Sequence, residues 1–288
     1  YEIPPAIAKA AMDSGIARHP IQDWEAYKHI LMERLGTGSK VVRMLHDRAK
    51  SDPKRVVFNE ADKLNVIKAA QIVHDEGIAI PILLGNEEII LGLKEEIGFD
   101  AEVEIIDPKV DQIRTKRFAY AAIYWESNRR KGVTLVEAQK MMRERNYFAA
   151  MMLNENDTDA MITGYSRNYA SSIKPLFETI GMEKGVSRIS ATNLMLTKKG
   201  PMFLADTTIN IDPTPEQLAK ITEMTTNVAK MFGVNPVVAM LSFSNFGASN
   251  SEKSRKVGKA VELIHERYPD LIADGPVQID FALNSEMM

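Results

Sequence analysis

The sequence predicts an α/β protein: two doubly wound α/β domains behind a short helical lead segment. Three observations carry this reading. Strand-like and helix-like stretches alternate between residues 55 and 106. The run Ile78-Ala79-Ile80-Pro81-Ile82-Leu83-Leu84 is almost unbroken in apolar residues, as a parallel strand covered on both faces requires. Beyond residue 184 the strands lengthen and the alternation resumes.

The elements are justified in chain order. Residues 6–14 are Ala-rich and favour a helix that Gly15 ends. Asp23 stands as an N-cap before a second helix over 24–35, and Gly36-Thr37-Gly38-Ser39 reads as a hinge. Val56-Val57-Phe58 is a short buried strand. In the helix over 63–76, Val66, Ala69, Ala70 and Val73 share one face. Strand 78–84, helix 87–96 and strand 103–106 follow, then helices over 109–128, 134–145 and 147–154. Thr134 and Glu137 form a capping box at the start of the second of these. Strand 160–163 runs into Gly164, and a helix covers 171–180. Strands 188–196 and 202–205 flank Lys198-Lys199-Gly200-Pro201, a hairpin turn signal. Thr214, Pro215 and Gln217 open a helix over 216–232. Strand 237–241, helix 252–267 and a last strand over 277–281 complete the chain. The expected divisions are 1–38, 39–183 and 184–288.

Composition narrows the function. The chain has 288 residues, 36 Lys and Arg against 39 Asp and Glu, and a net charge of −3, so nothing in its overall charge favours nucleic acid. No run of about 18 apolar residues is present, which argues against a membrane-spanning helix. With no Cys, disulfides, thiolate zinc sites and Cys nucleophiles are excluded. No secretory signal opens the sequence, and the expectation is a soluble cytoplasmic protein. Because the first residue is Tyr, a piece of a longer polypeptide is expected. There is no Gly-x-Gly-x-x-Gly and no His-Glu-x-x-His, so a dinucleotide fingerprint and a His-based metal site are not expected.

Two polar loops stand out. Gly164-Tyr165-Ser166-Arg167-Asn168-Tyr169-Ala170-Ser171-Ser172 joins a strand end to a helix start. Helix N-termini attract phosphate, Ser166, Asn168, Ser171 and Ser172 add donors, and Arg167 can grip an oxyanion through two bonds. Ser242-Phe243-Ser244-Asn245-Phe246-Gly247-Ala248-Ser249-Asn250-Ser251 has the same setting, with Ser242, Ser244 and Gly247 as candidates. The alternative for both loops is a polar connector that caps the following helix. Arg129-Arg130-Lys131-Gly132 is either an anion contact or a solvated face. Asp206 could orient a nucleophile or cap a turn.

From about Arg55 onward the sequence resembles the phosphate acetyltransferase family. The resemblance is carried by Gly77-Ile78-Ala79 through Leu84-Gly85-Asn86-Glu87, Lys131-Gly132-Val133-Thr134, Tyr147-Phe148-Ala149-Ala150-Met151-Met152, residues 159–164, Val238-Ala239-Met240-Leu241-Ser242-Phe243-Ser244, and Asp274-Gly275-Pro276-Val277-Gln278-Ile279-Asp280. Pro5-Ala6-Ile7-Ala8-Lys9-Ala10-Ala11-Met12-Asp13-Ser14-Gly15 is similar to the last catalytic helix of bacterial NADP-dependent malic enzymes. Together they look like the C-terminal part of the hybrid bacterial malic enzymes, stopping short of the family's end. The resemblance implies two domains around a cleft, in the manner of isocitrate dehydrogenase, with the first segment as the malic-enzyme tail.

Coenzyme A and acyl phosphate meet in that cleft in the family. The resemblance also implies acetyl-CoA as an effector, a homo-oligomer and an upstream malic-enzyme domain in the same polypeptide. NADP and a divalent metal, Mg or Mn, would serve that upstream domain. No nucleic-acid or membrane partner is implied. Two family arginines fall here on Lys174, just before Pro175, and on Asn128, beside Arg129. A lysine keeps the charge but loses the bidentate fork. The family's later Leu-Ser-Arg-Gly stretch and proposed base have no counterpart in this sequence. Three functions follow: an acetyl-CoA-binding regulatory and oligomerising region, a purely structural assembly region, or a working phosphate acetyltransferase.

Overall fold

The computed structural model describes residues 3–24, 27, 31, 37–184, 186, 188–197 and 200–284, with backbone alone at 37–40. The chain gathers into two compact units, His46–Ser187, and Arg188–Met288 together with Tyr1–Leu45. Helix α1 (Ile3–Asp13) buries no residue. Helix α2 (Thr37–Ser51) occupies positions read above as a hinge, so the breaker signal at Thr37-Gly38-Ser39 is overridden, while Gly36 lies outside the described residues. Half-buried Val41, Val42 and Leu45 give α2 an apolar stripe, and Arg48 and Lys50 in its last turn oppose the helix dipole. Most of the helix expected over 24–35 also falls outside the described residues.

The unit His46–Ser187 is a parallel sheet covered on both faces. Its strands are β1 (Lys54–Phe58), β2 (Ala79–Leu84), β3 (Glu104–Ile106) and β4 (Ala160–Ile162), in the order β3-β2-β1-β4. Side chains alternate across a strand, so neighbouring residues enter different cores. Val57, Ile82, Leu84 and Ile106 pack on one face with helices α5 (Arg114–Asn128), α6 (Leu135–Met141) and α7 (Arg145–Asn154). Phe58 and Leu83 pack on the other with α3 (Leu64–Asp75) and α4 (Glu87–Ile97). Each fully buried side chain of this size contributes roughly 1.5–3 kcal/mol of transfer free energy. A 3-10 turn, Asp111–Ile113, precedes α5, so the helix begins later than the sequence reading had it. Helix α7 buries Phe148, Ala149, Ala150, Met151 and Met152 in succession, which explains its lack of a polar face. Helix α8 (Tyr169–Thr179) closes the unit.

The other unit pairs β5 (Thr192–Thr197) antiparallel with β6 (Gly200–Ala205), the hairpin expected, although Lys198 and Lys199 lie outside the described residues. Residues 188–191 are not strand; Asp206 accepts from the Ala191 backbone N–H there, at 3.1 Å. Helix α9 (Pro215–Met231) follows, then β7 (Val237–Leu241), α10 (Glu252–Arg267) and β8 (Ile272–Val277), with β7 and β8 parallel. Their core is Ala219, Met240, Ala260, Val261, Ile264 and Ala273.

The strand expected over 277–281 is a correction. Pairing with β7 ends at Leu241 and Val277, and the chain turns into the short helix α11 (Ile279–Leu283). Asp274-Gly275-Pro276, which the sequence reading assigned to no element, lies within β8. Gly275, at φ +144°, fits because a Cβ there would sit 2.5 Å from the Met240 carbonyl oxygen. Among the described residues no helix is long and apolar enough to cross a membrane.

Candidate ligand site

The strand order places the site. From β1 the chain steps outward to β2 and β3, then returns to lay β4 on the opposite side of β1. Ligands of open α/β sheets bind outside the carboxyl ends of strands at such a reversal. The residues there are Asn59 and Glu60 after β1, and Thr163 and Gly164 after β4. An open cavity of about 300 Å³ lies beside them, lined by Thr163, Gly164, Arg167, Tyr169, Ser172, Ile173 and Leu176. Its lining combines the apolar Ile173 and Leu176 with Thr163, Arg167, Tyr169 and Ser172, which carry polar groups.

The first loop is brought together as a group. Gly164 takes φ +95°, which a glycine adopts at no steric cost. Ser166 donates its backbone N–H and its hydroxyl to the two oxygens of Glu60, each at 3.0 Å. Asn168 caps α8 by accepting from Ser171 N–H at 2.9 Å. Ser171 and the buried Ser172 donate their hydroxyls to the Asn168 carbonyl, at 2.9 and 3.2 Å. Arg167 Nη1 lies 3.0 Å from Glu144 Oε2. Lys174 is exposed and sits 3.7 Å from Glu178 on the next turn. Arg129 pairs with Glu126 at 2.7 Å and stacks on Trp125. Each of the three cations therefore has a carboxylate of its own.

Asn128 is buried. Its amide donates to the carbonyls of Tyr124 and Glu178, both at 3.0 Å, and its Oδ1 accepts from Lys131 Nζ at 3.0 Å. The Glu178 carboxylate accepts from the hydroxyls of Tyr124 and Tyr147, at 3.2 and 2.5 Å. Burial and the adjoining Glu178 carboxylate push both phenols above their ordinary range.

Several residues here escaped the sequence reading. Asn59, Glu60 and Asn146 are buried polar side chains around the loop, and Asp62 pairs with Arg145 at 2.8 Å close by. Burial drives the Asp62 carboxyl up, but the Arg145 hydrogen bond and charge outweigh it and hold it below its usual value. The available signal was position: Asn59-Glu60 is a polar pair directly following an apolar strand.

The second loop belongs to the other unit. Ser242 donates its backbone N–H to the Val277 carbonyl at 2.8 Å. Ser244 is buried, with its hydroxyl 2.9 Å from that of Ser254. Gly247 is exposed at φ +82°. Gln278 braces the loop through Asn245 and the Phe243 carbonyl. Asp206 caps a turn: its carboxylate also accepts from the backbone of Thr208, Ile209 and Asn210, at 3.3, 3.2 and 2.7 Å.

Known proteins place this architecture. An NADP-dependent malic enzyme of Salmonella typhimurium is 38% identical over 98% of this chain, and the chain spans 37% of that enzyme's length. A phosphate acetyltransferase of Thermoanaerobacterium thermosaccharolyticum is 33% identical over 86% of this chain and 76% of its own length. The phosphotransacetylase structure from Streptococcus pyogenes superimposes with a TM-score of 0.75 at 32% identity, covering 86% of this chain and 75% of that one. One from Staphylococcus aureus gives 0.76 at 26% identity, covering 87% and 76%. A family model described as phosphate acetyl/butaryl transferase matches residues 40–288. Sheet order, polar strand-end loops and these matches agree, and the chain belongs to the phosphate acetyl/butaryl transferase family.

Proposed function

We propose that this chain is the acetyltransferase-like region of an NADP-dependent malic enzyme, and that it binds acetyl-CoA as a regulatory and oligomerising region. Supporting the first part, the malic-enzyme match takes in 98% of the chain, whereas the family model begins at residue 40. Malate would be oxidised and decarboxylated to pyruvate by the upstream region, with NADP and a divalent metal bound there.

The observation that carries the second part is Asn128. At a position where the family resemblance calls for an arginine, the side chain is neutral, buried and bonded on both its nitrogen and its oxygen. Arg129 is held to Glu126 and Trp125 on the helix surface and does not replace it. Phosphoryl and acyl transfer depend on positioned cations that stabilise developing charge. Loss of one such group costs turnover more than it costs ground-state binding. The Gly164–Ser172 segment still presents a helix start and Arg167 to an anionic ligand. Coupling to the upstream site then requires only that acetyl-CoA bind two conformations unequally.

A purely assembling role is favoured by a different feature. An apolar groove of about 470 Å³ runs along β6, β7 and α9, with Met202, Leu204, Leu218, Val238 and Leu241 on its walls. Calorimetry of acetyl-CoA with the full-length enzyme and with this chain separates the readings. Binding to the full-length enzyme without acetyl phosphate formation supports the effector reading, and Lys174→Ala then weakens binding. No binding at millimolar ligand leaves assembly as the function. Phosphate-dependent acetyl phosphate formation would make the region an acetyltransferase.

A further inference from the structure

The loop between β4 and α8 carries the residues nominated for ligand, yet it has no regular structure to hold its shape. Two buried side chains reach it from below. Glu60, 2% exposed, receives both donors of Ser166. Among the described residues no cation pairs with this carboxylate, so the Ser166 bonds are what offset its burial. Asn146, 1% exposed, donates from Nδ2 to the Ser171 carbonyl at 3.3 Å. Its Oδ1 accepts from the Thr163 hydroxyl at 3.3 Å and from the Asn59 amide.

The Ser171 carbonyl is a special acceptor. In an uninterrupted helix its donor would be the N–H of residue 175. That residue is Pro175, inside α8, which has no N–H. Asn146 supplies the donor that the proline lacks.

We infer that Glu60 and Asn146 are positioning residues that clamp the 163–172 segment from its two sides, Glu60 through Ser166 and Asn146 through Thr163 and the Ser171 carbonyl. Neither lines the cavity; each acts through residues that do or that adjoin it. Glu60 also fixes a boundary on the site. With the Ser166 N–H and hydroxyl committed to an internal carboxylate, and the Ser171 and Ser172 hydroxyls to the Asn168 carbonyl, an incoming anion is left with Arg167 and the first turn of α8. For the ligand this rests on the acetyl-CoA reading above; the loop's geometry does not.

The test is hydrogen exchange on the full chain, followed in peptides covering 163–172, with thermal midpoint and acetyl-CoA affinity measured alongside. Losing a hydrogen bond to a charged or buried group shifts local opening about tenfold. Glu60→Gln and Asn146→Ala should each speed exchange in this segment by about that factor, with peptides from α3 and α5 unchanged, and should weaken acetyl-CoA comparably. Glu60→Asp should recover part of the loss.

Pro175→Ala restores a main-chain donor to Ser171, so Asn146→Ala in that background should have a smaller effect. Ser166→Ala, at an exposed position, serves if Glu60→Gln does not fold, and added to it should cause little further change. Unchanged exchange in the segment for both single variants overturns the clamp, as does an Asn146→Ala effect that Pro175→Ala leaves undiminished. If acetyl-CoA does not bind the unmodified full-length enzyme, the ligand reading fails while the exchange result still decides the clamp.

Discussion

Gly164 and Gly275 show how differently one atom can matter. A Cβ at Gly164 would lie 3.7 Å from Ser172 Oγ, an ordinary contact, so the cost of Gly164→Ala comes from its φ of +95°. That conformation costs an L-residue about 1–2 kcal/mol, and urea denaturation should show a loss of that size. At Gly275 the added atom would meet main chain at 2.5 Å, which no rotamer relieves, so Gly275→Ala should destabilise its unit more. Asp62 gives a pH dependence. Its folded pKa is depressed by Arg145 against the effect of burial, so the pair's stabilisation is present above the unfolded carboxylate pKa and is lost as pH falls through the folded one. The stability difference between the unmodified chain and Asp62→Asn should therefore shrink from neutral to strongly acidic pH. A pairing of this kind is where sequence reading stops: Ser166 and Glu60 are 106 residues apart, and nothing local to either names the other.

At the scale of elements, what was legible is what is decided within a turn or two. The capping boxes at Thr134 with Glu137 and Thr214 with Gln217 were visible as residue spacings, and both form. Asn86 caps α4 by accepting from Ile89 N–H at 3.0 Å. Asn86→Ala should cost about 1 kcal/mol, measurable as a lower denaturant midpoint with an unchanged slope. The misread elements had their outcome set elsewhere. Val277-Gln278-Ile279-Asp280-Phe281 alternates with a period of two, but its partner strand is exhausted at Leu241, and Gln278 is held by Asn245 and Phe243. Thr37-Gly38-Ser39 carries a breaker signal, but the apolar stripe and basic end of the residues after it extend the helix back over them.

For the whole molecule, periodicity revealed an α/β architecture, and motif order revealed the family. The neighbour order of the strands was not legible, because a parallel strand buried on both faces shows the same apolar run whichever strands flank it. That order nonetheless decides where polar loops become a site, by setting β4 against β1 rather than β3. The pairing of Arg167 with Glu144, Lys174 with Glu178 and Arg129 with Glu126 carries a kinetic consequence. A cation that already faces its own anion projects little field into solvent, and the chain's net charge of −3 adds no attraction. A polyanion would arrive by diffusion without steering. Its association rate constant should fall in the unsteered range, about 10⁵–10⁷ M⁻¹s⁻¹, and stopped-flow traces should change little as salt is raised. Glu144→Gln would uncover Arg167, making arrival faster in dilute buffer and newly sensitive to ionic strength.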